Sequence, residues 1–433
     1  MTLGRGGLGY VVIVKYLGRN GLAKWAFASV FAGSYVLFGQ AQESAPKVAP
    51  MTLEQCRQYA LANQPAMAAA NLSAVAGSQR AGSLNRLGFA GMISREVPIR
   101  KQQSGWGVSA TAAMADQAAL DTCFDVNFTY LSILYGQRQL AVAEAAIAEL
   151  TSLRDIAKTI VKEGTRPDVT NNHVEKIEVM LLSSSARRDE ALGGIARANA
   201  ALREAMGMPS GEPVKLAVVS FPTSKQVPDK AVLVAGAKNQ RGEVLASRAA
   251  VEVTRWETKA QGVGFFKFQT QTFASGSDLH AIGVPLPQRG EDYLPGGVAP
   301  EMPANLAGKK RDRVATAGIY AERAASVAAK TENLAVLEVE NFLLRYKENS
   351  SRAEKLIQAA IQADKLASRL KDKFDPRSTK VSLDEVLTTG TLSVSTMLDA
   401  NEALYRTLLD LATLERASGG AFRLALEWPK MTP

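Results

Sequence analysis

From about Ala112 onward the apolar positions form narrow seams. Phe124, Phe128, Leu131, Tyr135, Val142, Leu150, Leu153, Ile156 and Ile160 recur mostly at steps of three, four or seven. A second series runs through Leu334, Leu337, Asn341 and Leu344, then Leu356, Ala360, Ala367 and Leu370. Seams this narrow suit coiled-coil packing better than the broad face of a globular helix. The stretch from Ala112 to Glu163 predicts a helix on the order of 75 Å at 1.5 Å per residue, too long for one compact domain. Its return helix is expected from Asp168 to Met206, with Pro167 and Asp168 at the positive end of the dipole and Gly207 and Pro209 as the stop. In the second half the return helix is expected from Ser393 or Ser395 to Ala417, ended by Ser418-Gly419-Gly420.

Each half follows one plan: a short helix, a helix-start signal, a second helix, an irregular segment, and two long helices. Leu53–Ala62 leads to Asn63-Gln64-Pro65, and Ala231–Lys238 leads to Gln240-Arg241-Gly242-Glu243. Matching Pro65 to Gly242 gives an offset of 177, whereas matching Gly164 to Gly390 gives 226. The second copy then carries 49 extra residues, placed in the Pro- and Gly-rich stretch Gly262–Arg311. The fold class is mainly α: two tandem repeats of long antiparallel coiled-coil hairpins, with one clear strand hairpin in the second repeat. The expected divisions are a leader over 1–41, a first repeat over 42–211, a linker over 212–230, a second repeat over 231–418 with an insertion at about 262–311, and a tail over 419–433.

About one residue in six is Ala, and aromatics are 6%, which favours long helices in close contact. The formal charge is +9, but Arg5, Lys15, Arg19 and Lys24 precede an apolar run from Trp25 to Phe38 and Gly39-Gln40-Ala41. That order reads as an export signal cleaved after Ala41, or as an uncleaved anchor, although fourteen apolar residues are short for a membrane span. Removing its four cations leaves +5, so the basic balance is poor support for a nucleic-acid partner, and none is expected. Gly4-Arg5-Gly6-Gly7-Leu8-Gly9 matches a dinucleotide fingerprint, yet no strand precedes it and it lies in the leader.

Only two His and two Cys are present, widely spaced, so neither a zinc site nor a disulfide scaffold is expected. Export would permit a Cys56–Cys123 bond; two small buried thiols on separate helices are the simpler reading. His173 sits among Asn171, Asn172 and Glu175 on the polar part of a helix, and His280 in a candidate strand. No enzyme, cofactor or metal is expected from these residues.

The order TLEQCRQYALANQPAM (52–67), EGTRPDVTNNHVEKIEV (163–179), LREAMGMPSGEP (202–213), NQRGEVLASRAAVE (239–252) and TTGTLSVSTMLDANEALYRTLLDLATLERA (388–417) resembles the TolC-type outer-membrane efflux channels. The resemblance implies a homotrimer whose protomers give helical hairpins to a periplasmic tunnel and strand hairpins to a shared outer-membrane barrel. It also implies a passive duct that meets an inner-membrane pump through a periplasmic adaptor, with outer-membrane lipid around the barrel. The adaptor-contacting tips would be Gly164 and Thr165 in the first copy and Gly390, Thr391 and Leu392 in the second. Each Gly also reads as a plain helix C-cap, and the two roles are compatible. Lys162, Arg166 and Asp168 near the first tip are candidates for ion pairs, though exposed charges at a turn are usually just solvated.

The barrel is where the sequence departs from that pattern. Gly264–Phe273 alternates, with Phe266 and Phe268 on one face and Lys267, Gln269 and Gln271 on the other, and Leu279–Leu286 is the expected return strand. This is either a membrane strand or a small strand buried against the helices. In the first copy Ile93–Ile99 and Trp106–Ala110 are short and poorly alternating. One hairpin per protomer gives a trimer six strands, below the eight of the smallest single-chain barrels. The alternative to an export duct is a non-conducting periplasmic scaffold or adaptor-like protein, which would place the chain in the periplasm and not in the outer membrane.

Overall fold

A computed structural model describes residues 50–88, 94–212, 214–217, 221–263, 269–272 and 302–428. The leader, Phe266 and Phe268, the expected return strand Leu279–Leu286, and His280 lie outside the described residues. Helices α1 (Leu53–Asn63), α2 (Pro65–Asn85), α3 (Val97–Glu163) and α4 (Asn171–Ala205) make the first copy. Helices α5 (Lys230–Asn239), α6 (Gly242–Val263), α7 (Lys310–Lys373) and α8 (Leu383–Ala417) make the second, with β1 (Gln269–Gln271) and β2 (Asn305–Ala307) between α6 and α7.

The fold is mainly α and twofold repeated, as the sequence predicts. The long helices exceed the expectation. Helix α3 has 67 residues and α7 has 64, about 100 Å and 96 Å at 1.5 Å per residue. Each is flanked by a shorter pair set end to end: α2 and α4 lie along α3, and α6 and α8 lie along α7. Both return helices contain 35 residues, and α4 begins and ends 212 positions before α8. The repeat offset therefore rises from 177 at the short helices to 212, a gain of 35 residues and not 49. That gain is the difference between the two helix-to-helix connections, eleven residues over 86–96 and 46 residues over 264–309.

The first connection corrects the weak strands expected at Ile93–Ile99 and Trp106–Ala110. Residues from Val97 onward belong to α3, with Pro98 in the first turn, where its missing N–H costs no helical hydrogen bond. Gln103, Ser104, Ala110 and Thr111 are buried at helical spacing, and this overrides the brief alternation. The second connection holds a two-stranded antiparallel ladder, Gln269 opposite Ala307 and Gln271 opposite Asn305. The partner of β1 is thus 305–307, within the Pro- and Gly-rich stretch of the second copy.

A belt crosses the molecule halfway along α3 and α7. Cys56 and Ala60 of α1 pack with Val126, Tyr130, Leu131 and Leu134 of α3 and Leu202 and Met206 at the end of α4. Leu233 and Ala237 of α5 pack with Ala335, Val339 and Leu343 of α7 and Leu411 and Leu414 of α8. Both cysteines are free, and burial pushes the Cys56 thiol up to about 11. The α7 seam departs from the predicted one near its middle: Leu334 and Ala360 are buried as expected, but Leu343 is buried in place of Leu344, which is 63% exposed.

At the belt each copy joins its short helix pair by the same backbone device. Gly207, with φ of 70°, lies so close to Asn63 and Gln64 that a Cβ would fall 2.6 Å from the Asn63 carbonyl oxygen. Its counterpart 212 residues later, Gly419, has φ of 66°, and a Cβ there would fall 2.7 Å from the Arg241 nitrogen.

Candidate functional site: the paired hairpin tips

The two copies meet again at the far ends of their long helices. Helix α3 stops at Gly164, whose φ of 64° places it in the left-handed conformation of a helix C-cap. Seven residues later α4 begins behind Thr170, whose backbone N–H donates to His173 Nδ1 at 3.2 Å. Helix α7 stops before Phe374-Asp375-Pro376, and α8 starts behind Ser382. Ser382 Oγ accepts from the Glu385 N–H at 3.1 Å, and Ser382 N–H donates to Glu385 Oε2 at 3.0 Å, a reciprocal capping box.

Arg166 links the two turns. It is 2% exposed, although it sits in a surface turn. Its Nε and Nη2 donate to the Asp168 carboxylate at 3.0 and 2.5 Å, a bidentate pair. Its remaining donors cross to the other copy: Nη1 to the Asp375 carbonyl and Nη2 to the Val381 carbonyl, both at 3.0 Å. The guanidinium also lies over the Phe374 ring, 5.1 Å from its centre. Around it, Thr165 Oγ1 is 3.5 Å from the Pro376 carbonyl, Lys176 Nζ is 2.8 Å from Asp384 Oδ1, and His173 Nε2 is 3.4 Å from Asp384 Oδ2. Beneath these contacts Leu153, Ile160, Val169 and Ile177 of the first copy pack on Val381, Leu383 and Val386 of the second. The Arg166 hydrogen bonds hold the Asp168 carboxyl below the ordinary carboxylate range, and Lys176 does the same for Asp384.

Gly164 and Thr165 occupy the first turn and are exposed. Gly390, Thr391 and Leu392 do not occupy the second: they lie inside α8, and the turn is 374–382. The displacement is the difference between offsets of 226 and 212, fourteen residues, or two heptads, so the seam stays in phase and gives no warning. The capping box Ser382-x-x-Glu385 and the helix stop Asp375-Pro376 mark the true turn in the sequence. Gly390 and Thr391 do line a groove between the hairpins, facing Met180, Ser184 and Arg187 of α4. Arg166 is not the solvated turn charge its position suggests, because its partners are main-chain carbonyls more than 200 residues away.

Among the described residues no cluster of His, Cys, Asp or Glu has metal-binding geometry, and no helix is long and apolar enough to cross a membrane. The architecture is that of outer-membrane channels. The chain is similar to the MtrE outer-membrane channel of Neisseria gonorrhoeae in its open state, at 14% identity and a TM-score of 0.66, over 86% of this chain and 89% of that one. It is also similar to the CmeC outer-membrane channel of Campylobacter jejuni, at 13% identity and 0.66 over 86% of each chain. The outer-membrane protein VceC of Vibrio cholerae matches at 14% identity and 0.62, over 86% of this chain and 97% of that one. No family model matches the chain, and no curated protein matches it in sequence. At such identities the likeness is one of fold, the fold of TolC-type channels.

Proposed function

We propose that the chain is one protomer of a homotrimeric export duct, a passive conduit of a tripartite system. In this reading the paired tips face a periplasmic adaptor and inner-membrane pump, and the opposite end faces the outer membrane. The observation that carries the proposal is the pair of hairpins, built on helices of about 100 Å and stitched at their tips by Arg166, in an architecture shared with outer-membrane channels. Gly164 and Thr165 at the first turn, and the groove flank bearing Gly390, Thr391 and Leu392, are the surfaces assigned to the adaptor.

Assembly is supported by apolar side chains that a lone protomer leaves in water. Leu72 and Val75 on α2, and Val179 and Leu182 on α4, are exposed pairs at i, i+3 spacing, and α7 adds Ile319 and Leu344. Val179 and Leu182 are 66% and 73% exposed. Unlike patches on two copies of one plan fit a heterologous interface that closes into a ring. The test is native mass spectrometry of protein purified in mild detergent. A trimer is expected, with V179D/L182D shifting it to monomer; wild-type protein that is monomeric at micromolar concentration would overturn the duct.

A second reading, a periplasmic scaffold that keeps the fold without conducting, is favoured by one observation. Eleven residues between α2 and α3 are too few for two membrane strands of about nine to eleven residues each. The two helix-to-helix connections then supply one hairpin, from 264–309, and a trimer has six strands from this source. Conductance across planar bilayers separates the readings. Steady current through inserted trimers supports the duct, and silent trimers support the scaffold.

A further inference from the structure

The end of the molecule opposite the tips is electrostatically unlike the rest. Four helix ends converge there: the C-termini of α2 and α6 and the N-termini of α3 and α7. They are tied together internally, with Arg100 Nη1 2.5 Å from Glu257 Oε2, Gln103 Nε2 donating to the Val253 carbonyl at 2.9 Å, and Arg313 Nε donating to Gln261 Oε1 at 3.2 Å. Glu257 is fully buried in this layer and Arg313 is 1% exposed, so this acid is spent inside. The bases outside it are exposed: Arg86, Arg95, Lys259, Lys309, Lys310 and Arg311. Asp312, the exposed acid among them, faces the Lys309 backbone N–H at 3.3 Å.

The described residues within 80–101 and 252–313 carry eleven Lys and Arg against four Asp and Glu, a net +7. That exceeds the +5 of the whole chain after residue 41, so the remaining residues are slightly acidic in balance. The tip windows 149–178 and 364–385 hold eleven of each sign. The same basic end has Trp106, 40% exposed, near the start of α3, and Trp256 near the end of α6 with the Lys259 ammonium 3.8 Å from its ring centre. An indole under a cation, with a second half-exposed indole on the neighbouring helix, suits the headgroup region of a bilayer.

We propose that this basic end is a docking surface for an anionic bilayer, with Arg86, Arg95, Lys309 and Arg311 meeting the phosphates of lipid headgroups. The contact supplements a single strand hairpin where the eleven-residue connection leaves no room for another. The proposal rests on the reading of this end as the membrane-facing one, and its test does not depend on the number of protomers.

Full-length mature protein is sedimented with vesicles of phosphatidylcholine alone, or with about 30% phosphatidylglycerol, at low salt and again near 0.5 M salt, where exposed charges are screened beyond a few ångströms. Binding is expected on anionic vesicles only and is released by salt. A cation near an anionic surface contributes about fivefold in partitioning, so R86E/R95E/K309E/R311E is expected to bind about 600-fold more weakly or worse. Neutralising the pair K309Q/R311Q is expected to weaken binding about 25-fold, and circular dichroism checks that both variants keep the helical fold. The tip variant K162E/K373E/R377E/K380E, with the same loss of charge, is expected to bind as wild type. Equal binding to both vesicle types, binding that survives high salt, no binding at all, or equal loss in the tip variant would each overturn the proposal. A monomer in mass spectrometry with intact anionic binding would instead fault the duct.

Discussion

The two belt junctions have the same backbone and opposite chemistry. In the first copy Gly207 brings the end of α4 against the start of α2, and the residue on the opposing turn is Gln64. Its amide donates to the Glu204 and Ala205 carbonyls at 2.8 and 3.2 Å. At the equivalent position of the second copy, 177 residues on, stands Arg241, fully buried. It is 3.0 Å from Glu243 and 2.6 Å from Glu338, and Glu338 also takes Arg416 at 2.9 Å. Gln117 of α3 closes the set, accepting from the Gly242 N–H at 3.2 Å and donating to Asp121 at 3.0 Å. One junction caps a neighbouring helix, whereas the other ties α3, α6, α7 and α8 together through charges removed from water. Duplication thus preserves the backbone requirement, and the side chains diverge to suit the number of elements that meet.

This difference predicts unequal losses. Arg241→Met leaves Glu243 without its cation and Glu338 with only Arg416, and breaking a buried ion pair from one side costs about 3–5 kcal/mol. Gln64→Met removes hydrogen bonds at a partly solvated site and is expected to cost about 1 kcal/mol. Urea unfolding of each variant, compared at unchanged m, checks the ratio. Equal losses would mean that the Arg241 network contributes no more than an amide cap.

The shared backbone predicts the opposite pattern at the glycines. A Cβ at either position combines a left-handed φ with contacts under 3 Å to main-chain atoms, which cannot swing aside as a side chain would. Gly207→Ala and Gly419→Ala are each expected to cost about 2–3 kcal/mol. The two losses should agree within about 1 kcal/mol. A tolerant Gly207 beside an intolerant Gly419 would show that the copies no longer share the junction.

What the sequence reveals of this architecture follows the range of the interactions. The repeats, the α1 and α5 starts, the Gly207 stop and part of the long seams are set by local periodicity and caps, and they are legible. The second turn is legible too, in Ser382-x-x-Glu385, but a glycine match fourteen residues downstream competes with it, and a coiled-coil seam cannot arbitrate a shift of two heptads. Arg166 and Arg241 are a different case. One is buried by main-chain carbonyls of the other copy and the other by Glu338, 97 residues away, and neither partner has a motif. Leu343 and Leu344 show the same limit: adjacent leucines on one helix face different neighbours, and only the packed bundle decides which is buried.

The tips extend the comparison to a polar link that water reaches. Asp168 and Asp384 both have carboxyls held below the ordinary value, the first by Arg166 and the second by Lys176. A depressed folded value means that the stabilisation is present above the unfolded carboxylate pKa of about 4 and is lost as pH falls through the folded value. The Asp168 side chain is 37% exposed and that of Asp384 54%, so screening keeps each contribution below about 1 kcal/mol. The Arg241 network is buried from water, whereas water reaches both tip pairs. Spin labels at Thr165 and Ser378 are expected to report a broadened distance distribution below about pH 4, while Tyr130 and Trp428 at the belt, 6.1 Å apart, keep their native fluorescence. Asp168→Asn removes the titrating carboxyl, so part of the broadening should already be present at neutral pH and the acid response should shrink. If the belt signal changes first, the packed belt opens before the tip contacts, and the expected order of buried and solvated links would be reversed.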